Sequence, residues 1–267
     1  MTRIAWHRVY GAMLRYWYLV RRSFDRSSEI FVHPVLDLVI WGVTAVYLQE
    51  LFSGGVGLPS LVIALVTGVI FWNIIYRSQS EVPFGVLEDL WNRSLLHFFI
   101  SPLKISEWLF GLTLLGVIKT MLTLLTAGIF AAILYHFNIF FYGFYLLPFL
   151  GLLIISGWWL GFFITGLVLR FGTGFQAMAW TLSVAISPFS AIYYPVSVLP
   201  SWAQTIAYAL PTTYIFEGMR QVIYQGSVNP RDLVMSFLLN VFYIAATAGF
   251  LYTSFKHRLK RGLLTLD

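Results

Sequence analysis

The chain has 267 residues, of which 59% are hydrophobic and only 10% charged, with a formal net charge of +6. An ordinary soluble domain carries about 25% charged residues, so this composition cannot clothe a water-facing surface and predicts a protein whose solvent is mostly lipid. Cysteine is absent, which excludes disulfides and thiolate metal sites.

The first predicted element is an amphipathic helix over 3–26, within an interface segment 1–30. At about 100° per residue, Arg8, Arg15, Arg22 and Arg26 fall within about 40° of one another. Trp6, Tyr10, Met13, Trp17, Val20 and Phe24 centre on the opposite side. Such a helix is expected to lie along a membrane surface, aromatics in the acyl boundary and arginines toward water and phosphate. The arginines are spread out and no short apolar core with a small-residue cleavage site follows them, so a cleavable signal is not expected.

Apolar runs long enough to cross the hydrocarbon core are expected near 34–52, 58–76, 106–135, 145–169, 174–195 and 232–255. They make residues 31–267 one all-α membrane domain of six spans. Pro188 predicts a kink in the fifth. With both ends inside, 14 of the 17 Lys and Arg lie on the inner side. Arg220 and Arg231 lie outside and Lys119 lies within a span. This asymmetry predicts cytoplasmic N- and C-termini.

Residues 78–105 read as the longest inner loop. Pro83 suits a first helical turn, and Phe84 to Phe99 can form a short helix that uses both faces. Glu88, Asp89, Trp91, Asn92, Arg93 and His97 there are candidates for docking a cytosolic partner, together with Arg8, Arg15 and Arg22. Residues 196–228 read as an outer hairpin, with helical stretches near Ser201 to Ala209 and Thr213 to Tyr224. Both are too short to cross, so a re-entrant hairpin shielded by protein is expected. Glu217 and Arg220 are three apart and can pair on one helix.

Lys119 is expensive at mid-span and is expected to face protein or water, either as a pathway group or in a structural pair with carbonyls or nearby threonines. Asp37 is expected to pair with an arginine. Phe71, Trp72, Phe175, Trp180 and Tyr193 are candidates to line a pathway, the alternative being core or lipid-facing packing. Gly151, Gly157, Gly161 and Gly166 predict close helix contact. The five histidines are scattered and imply no metal site. There is no G-x-S-x-G elbow and no phosphate loop of the form G-x-x-x-x-G-K-[ST], so neither hydrolytic chemistry nor ATP binding is expected of this chain. Nothing points to nucleic acid.

The order Tyr194-Pro195-Val196, Leu199-Pro200-Ser201-Trp202, Ala209-Leu210-Pro211-Thr212-Thr213-Tyr214, Glu217, Arg220 and Gly226 resembles the outer hairpin of the ABC-2 family of transporter membrane subunits. Ser101-Pro102-Leu103 resembles the end of that family's coupling segment, although Asn92-Arg93-Ser94 stands in a region where many relatives carry Gly-Thr. Pro200, Trp202, Pro211, Tyr214, Glu217 and Arg220 would then belong to an outer gate. The resemblance implies a multi-pass subunit of a cell (inner) membrane exporter, paired with a second copy or a related permease. A separate ATPase subunit would carry ATP and Mg and dock on the coupling and interface helices. The cargo would be an amphiphilic or lipid-linked glycan, lipid or drug. A gradient-driven carrier and a membrane enzyme acting on lipid carriers are the alternatives.

Overall fold

The computed structural model describes residues 5–53, 59–92 and 102–261, which are helical with no strand among them. Five of the helices are long and apolar enough to cross a membrane. Helix α1 (Trp6–Arg22) is separated by an extended Ser23 from α2 (Phe24–Ser53). Next come α3 (Pro59–Trp91) and α4 (Ile105–Tyr135). A 3-10 turn (Ile139–Tyr145) leads into α5 (Leu146–Phe171). The remainder is α6 (Met178–Ile186), α7 (Ser201–Ala209), α8 (Pro211–Gln225) and α9 (Pro230–Arg261).

Helix α3 is the axis of the bundle. Its apolar window is 67% buried, against 28% in α2 and α4 and 17% in α9. Glycines on α5 allow the closest approach to it. A Cβ on Gly157 would lie 2.5 Å from the Ser78 Cβ and 2.8 Å from the Ile75 carbonyl oxygen, and one on Gly161 would lie 2.6 Å from the Gln79 carbonyl oxygen. Gly166 performs the same service for Phe250 of α9. Gly151 faces open space, so its expected packing role is not seen.

Three expectations change. The first long helix begins at Phe24, well before residue 34, because Ser23 alone breaks the chain and residues 24–30 belong to α2. Residues 78–91, expected as a loop, continue α3 without interruption. Pro83 therefore sits inside a helix, not in a first turn. The polar residues of this stretch do not end the helix because they find partners inside the bundle, as described below.

The third change concerns 174–195, expected as one kinked helix. It is instead a series of short pieces. A 3-10 turn (Thr173–Phe175) precedes α6, and a second (Ser187–Phe189) follows it. Pro188 stands at the start of that second turn, and Ala191 adopts a left-handed φ of 57°. Side chains take up carbonyls along the broken path: Gln79 donates to Ala179, Ser190 to Ile186, Tyr194 to Pro188 and Thr213 to Phe189. Irregular backbone packed away from water needs its polar groups satisfied in this way.

The broken segment nevertheless follows α3 from Trp91 to Gly68. Gln176 meets Trp91, Trp180 meets Phe84, Ala179 meets Gln79, and Ile192 meets Gly68. Residues 176–192 thus lie beside α3. Accordingly, α1 and the last turns of α9 lie at one end, against the start of α4. The α7–α8 hairpin lies at the other, where Ser236 of α9 donates to the Pro211 carbonyl oxygen.

Candidate functional site: a charged cavity at one end of the bundle

Helix α1 has three faces where two were expected. Val9, Ala12, Tyr16 and Val20 are buried, and at about 100° per residue this face lies roughly midway between the arginine and aromatic stripes. It rests on α4, where Gly111 lies close beneath the Val9 carbonyl oxygen and Ala12. Trp6 and Tyr10 stay exposed.

Polar contacts then lock α1 in place. Glu107 accepts from the Ala5 N–H at 2.9 Å and from the Lys104 N–H at 3.1 Å, tying the starts of α1 and α4 together. Arg8 donates to the Pro102 carbonyl oxygen at 2.6 Å. Arg15 pairs with the buried Asp89 at 2.7 Å. The Tyr16 hydroxyl donates to the same carboxylate while accepting from Trp108 Nε1 at 2.8 Å. Burial, reinforced by the charge on Asp89, pushes the Tyr16 hydroxyl pKa up. It therefore stays a proton donor throughout the physiological range.

Behind this lock is a cavity of about 220 Å³. Helix α2 contributes Asp25, Arg26 and Glu29, and α3 contributes Glu81, Phe84, Glu88 and Trp91. Lys119 comes from α4 and Trp180 from α6. The cations are held in ion pairs. Arg26 holds Glu88 through two parallel bonds of 2.8 Å, the strong bidentate arrangement. Lys119 donates to both Glu81 oxygens, at 2.6 and 2.8 Å. Arg77 pairs with Glu29 at 3.1 Å, and also donates to the Glu29 carbonyl oxygen.

The partner of Lys119 is thus a carboxylate 38 residues away, not a carbonyl or a threonine. Thr113 and Thr126 instead bond back to carbonyls of their own helix. A signal for Glu81 was present: Glu81 and Glu88 are seven apart, so they share a face if the helix continues past Arg77. Asp37 accepts from Asn73 at 3.3 Å, not from an arginine.

The docking candidates divide. Asp89 is fully buried and Glu88 nearly so, both held in ion pairs. Arg22, Trp91 and Asn92 are exposed, and Trp91 is 53% accessible. Arg93 and His97 lie outside the described residues.

The pathway candidates do not share one channel. Phe71 is fully buried in the core against Tyr142 and Phe149. Trp72 meets Phe216, Tyr193 stacks on Trp41 at 4.5 Å, and Phe175 packs on Phe171. Lys119 and Trp180 alone among the six meet in the charged cavity.

In the hairpin, Pro200 precedes α7 and Pro211 opens α8. Trp202 is exposed beside Phe189, and the Tyr214 hydroxyl donates to the Tyr208 carbonyl oxygen. Glu217 pairs with Arg220 at 3.2 Å and also accepts from the Val196 N–H at 2.7 Å, joining α8 to the end of the broken segment. Among the described residues no group of three or more His, Asp or Glu is placed to hold a metal ion. No family model matches the chain, and no curated protein matches it either.

Proposed function

We propose that this chain is the membrane-spanning subunit of an ATP-driven exporter of the ABC-2 type, moving an amphiphilic or lipid-linked substrate out of the cytoplasm. The observation that carries this reading is the joint end of α1 and α3. The two helices are bound by Arg15, Tyr16 and Asp89 into one unit, whose exposed edge carries Arg22, Trp91 and Asn92. A rigid, partly aromatic edge at the basic end of the bundle suits a soluble motor, and a push there would pass directly into α3 and the core. On this reading the broken segment is a sixth crossing beside the five long apolar helices, and both described ends would lie on one face of the membrane. Basic residues would then concentrate on that face, which supports reading it as the cytoplasmic one. The α7–α8 hairpin is then the outer lid, and two copies, or this chain and a related permease, form the path between them.

Affinity purification from native membranes tests the reading. An ATPase subunit with a phosphate loop should copurify in stoichiometric amount, and the pair should drive ATP-dependent efflux. Replacing both Arg22 and Trp91 by alanine should release the ATPase while leaving the bundle folded. The buried Lys119–Glu81 pair also suits a gradient-driven carrier, in which intramembrane ionisable groups take part in transport. Ion-gradient transport by the chain alone would establish that second reading and defeat the first.

A further inference from the structure

The charged cavity has a chemistry of its own. Arg26 and Lys119 are each charge-paired to one carboxylate, both of whose oxygens accept from them. Both cations are thereby neutralised, and an anion that drew Lys119 away from Glu81 would strand a buried carboxylate, which is strongly unfavourable. The acidic side is in surplus. Glu29 shares its charge with Arg77, which does not line the cavity, and Asp25 has no ion-pair partner among the described residues. Arg21 and Arg22, in the preceding turn, do not line it either.

Aromatic rings complete the wall. Trp180 packs on Phe84 with centroids 5.0 Å apart, and Trp91, which also lines the cavity, donates to Gln176 at 3.3 Å. A ring face attracts a cation, most strongly when it belongs to tryptophan. Size narrows the occupant further. About 220 Å³ is less than the roughly 300–1,000 Å³ of a pocket that encloses a drug-sized ligand. A headgroup fits and an apolar tail must remain outside. Phe24, next in the chain to Asp25, is 86% exposed and offers the tail an apolar flank.

We infer that this cavity binds the cationic head of an amphiphile, a quaternary or protonated amine, between Asp25 and the Trp91–Trp180 wall. The inference rests on the exporter reading for its meaning as a substrate or entry site, but binding itself requires no ATPase. Equilibrium binding of octyltrimethylammonium to the full chain in nanodiscs of zwitterionic lipid, with empty nanodiscs subtracted, tests it. Saturable binding is expected, with octyl sulfate and octanol at least tenfold weaker. Asp25→Asn, which leaves every ion pair in place, should weaken binding about tenfold, and Trp180→Leu should do the same. Glu50→Gln, on an exposed carboxylate at the far end of α2, should change nothing. Equal binding of octyl sulfate, or undiminished affinity in Asp25→Asn, would overturn the inference. Loss of ATPase copurification with cation binding intact would remove the exporter reading alone, and the reverse outcome would remove this one alone.

Discussion

Replacing Lys119 by leucine should cost the fold about 3–5 kcal/mol, because Glu81 would be left buried and charged without a partner. Both side chains are only 9% exposed, so only water admitted by the cavity could compensate. Glu81→Leu should be similarly damaging, since it strands the ammonium. The double replacement should recover most of the loss, because a packed apolar pair often matches a buried ion pair in stability. Equilibrium unfolding by a denaturing detergent in mixed micelles, run on all four proteins, gives the coupling energy. Additive single-site losses would mean that the pair is not a unit. Such a result would also weaken the neutralisation of Lys119 on which the cation preference of the cavity depends.

The contact between α3 and α5 should be equally unforgiving. At Gly157 an added Cβ would lie 2.5 Å from the Ser78 Cβ, 2.8 Å from the Ile75 carbonyl oxygen and 2.9 Å from the Gln79 nitrogen. Two of those three atoms are backbone, which cannot rotate away. Gly157→Val should therefore destabilise by at least the 1–3 kcal/mol or so of ordinary overpacking and sharply lower the folded yield. Gly151, six residues earlier on the same helix, has no atom within 4 Å of its added Cβ. Gly151→Val should stay within about 0.5 kcal/mol of the parent. The same detergent titration compares them, and equal effects at the two sites would refute the packing described here.

How much of this was legible in the sequence depends on range. Hydropathy is local, and it located the helices at 106–135, 145–169 and 232–255 to within a few residues of α4, α5 and the core of α9. The hairpin helices were legible because Pro200, Pro211 and Gly226 punctuate them. Residues 78–91 were misread for a physical reason. A hydropathy window treats Arg77, Glu81, Glu88 and Asp89 as marks of exposure. Here each is matched by an opposite charge from another helix, between 38 and 74 residues away. Such pairings are set by packing, which no local pattern records. The break at 172–198 was half legible: Pro188 marked a disturbance, but the left-handed Ala191 and the carbonyl acceptors of Gln79 and Thr213 depend on neighbours distant in the chain. The third face of α1 was hidden because Val9, Ala12 and Tyr16 fall between two conspicuous stripes.

The reading of both ends as cytoplasmic depends on the broken segment crossing the membrane. Because the chain has no cysteine, single cysteines report it without background. His7→Cys and Lys256→Cys place a thiol on exposed positions near the two ends, and Ser227→Cys places one between α8 and α9. In intact cells treated with a membrane-impermeant maleimide, Ser227→Cys should label, while His7→Cys and Lys256→Cys should label only after the membrane is opened. Labelling of Lys256→Cys from outside, with His7→Cys protected, would mean five crossings and would contradict the sixth.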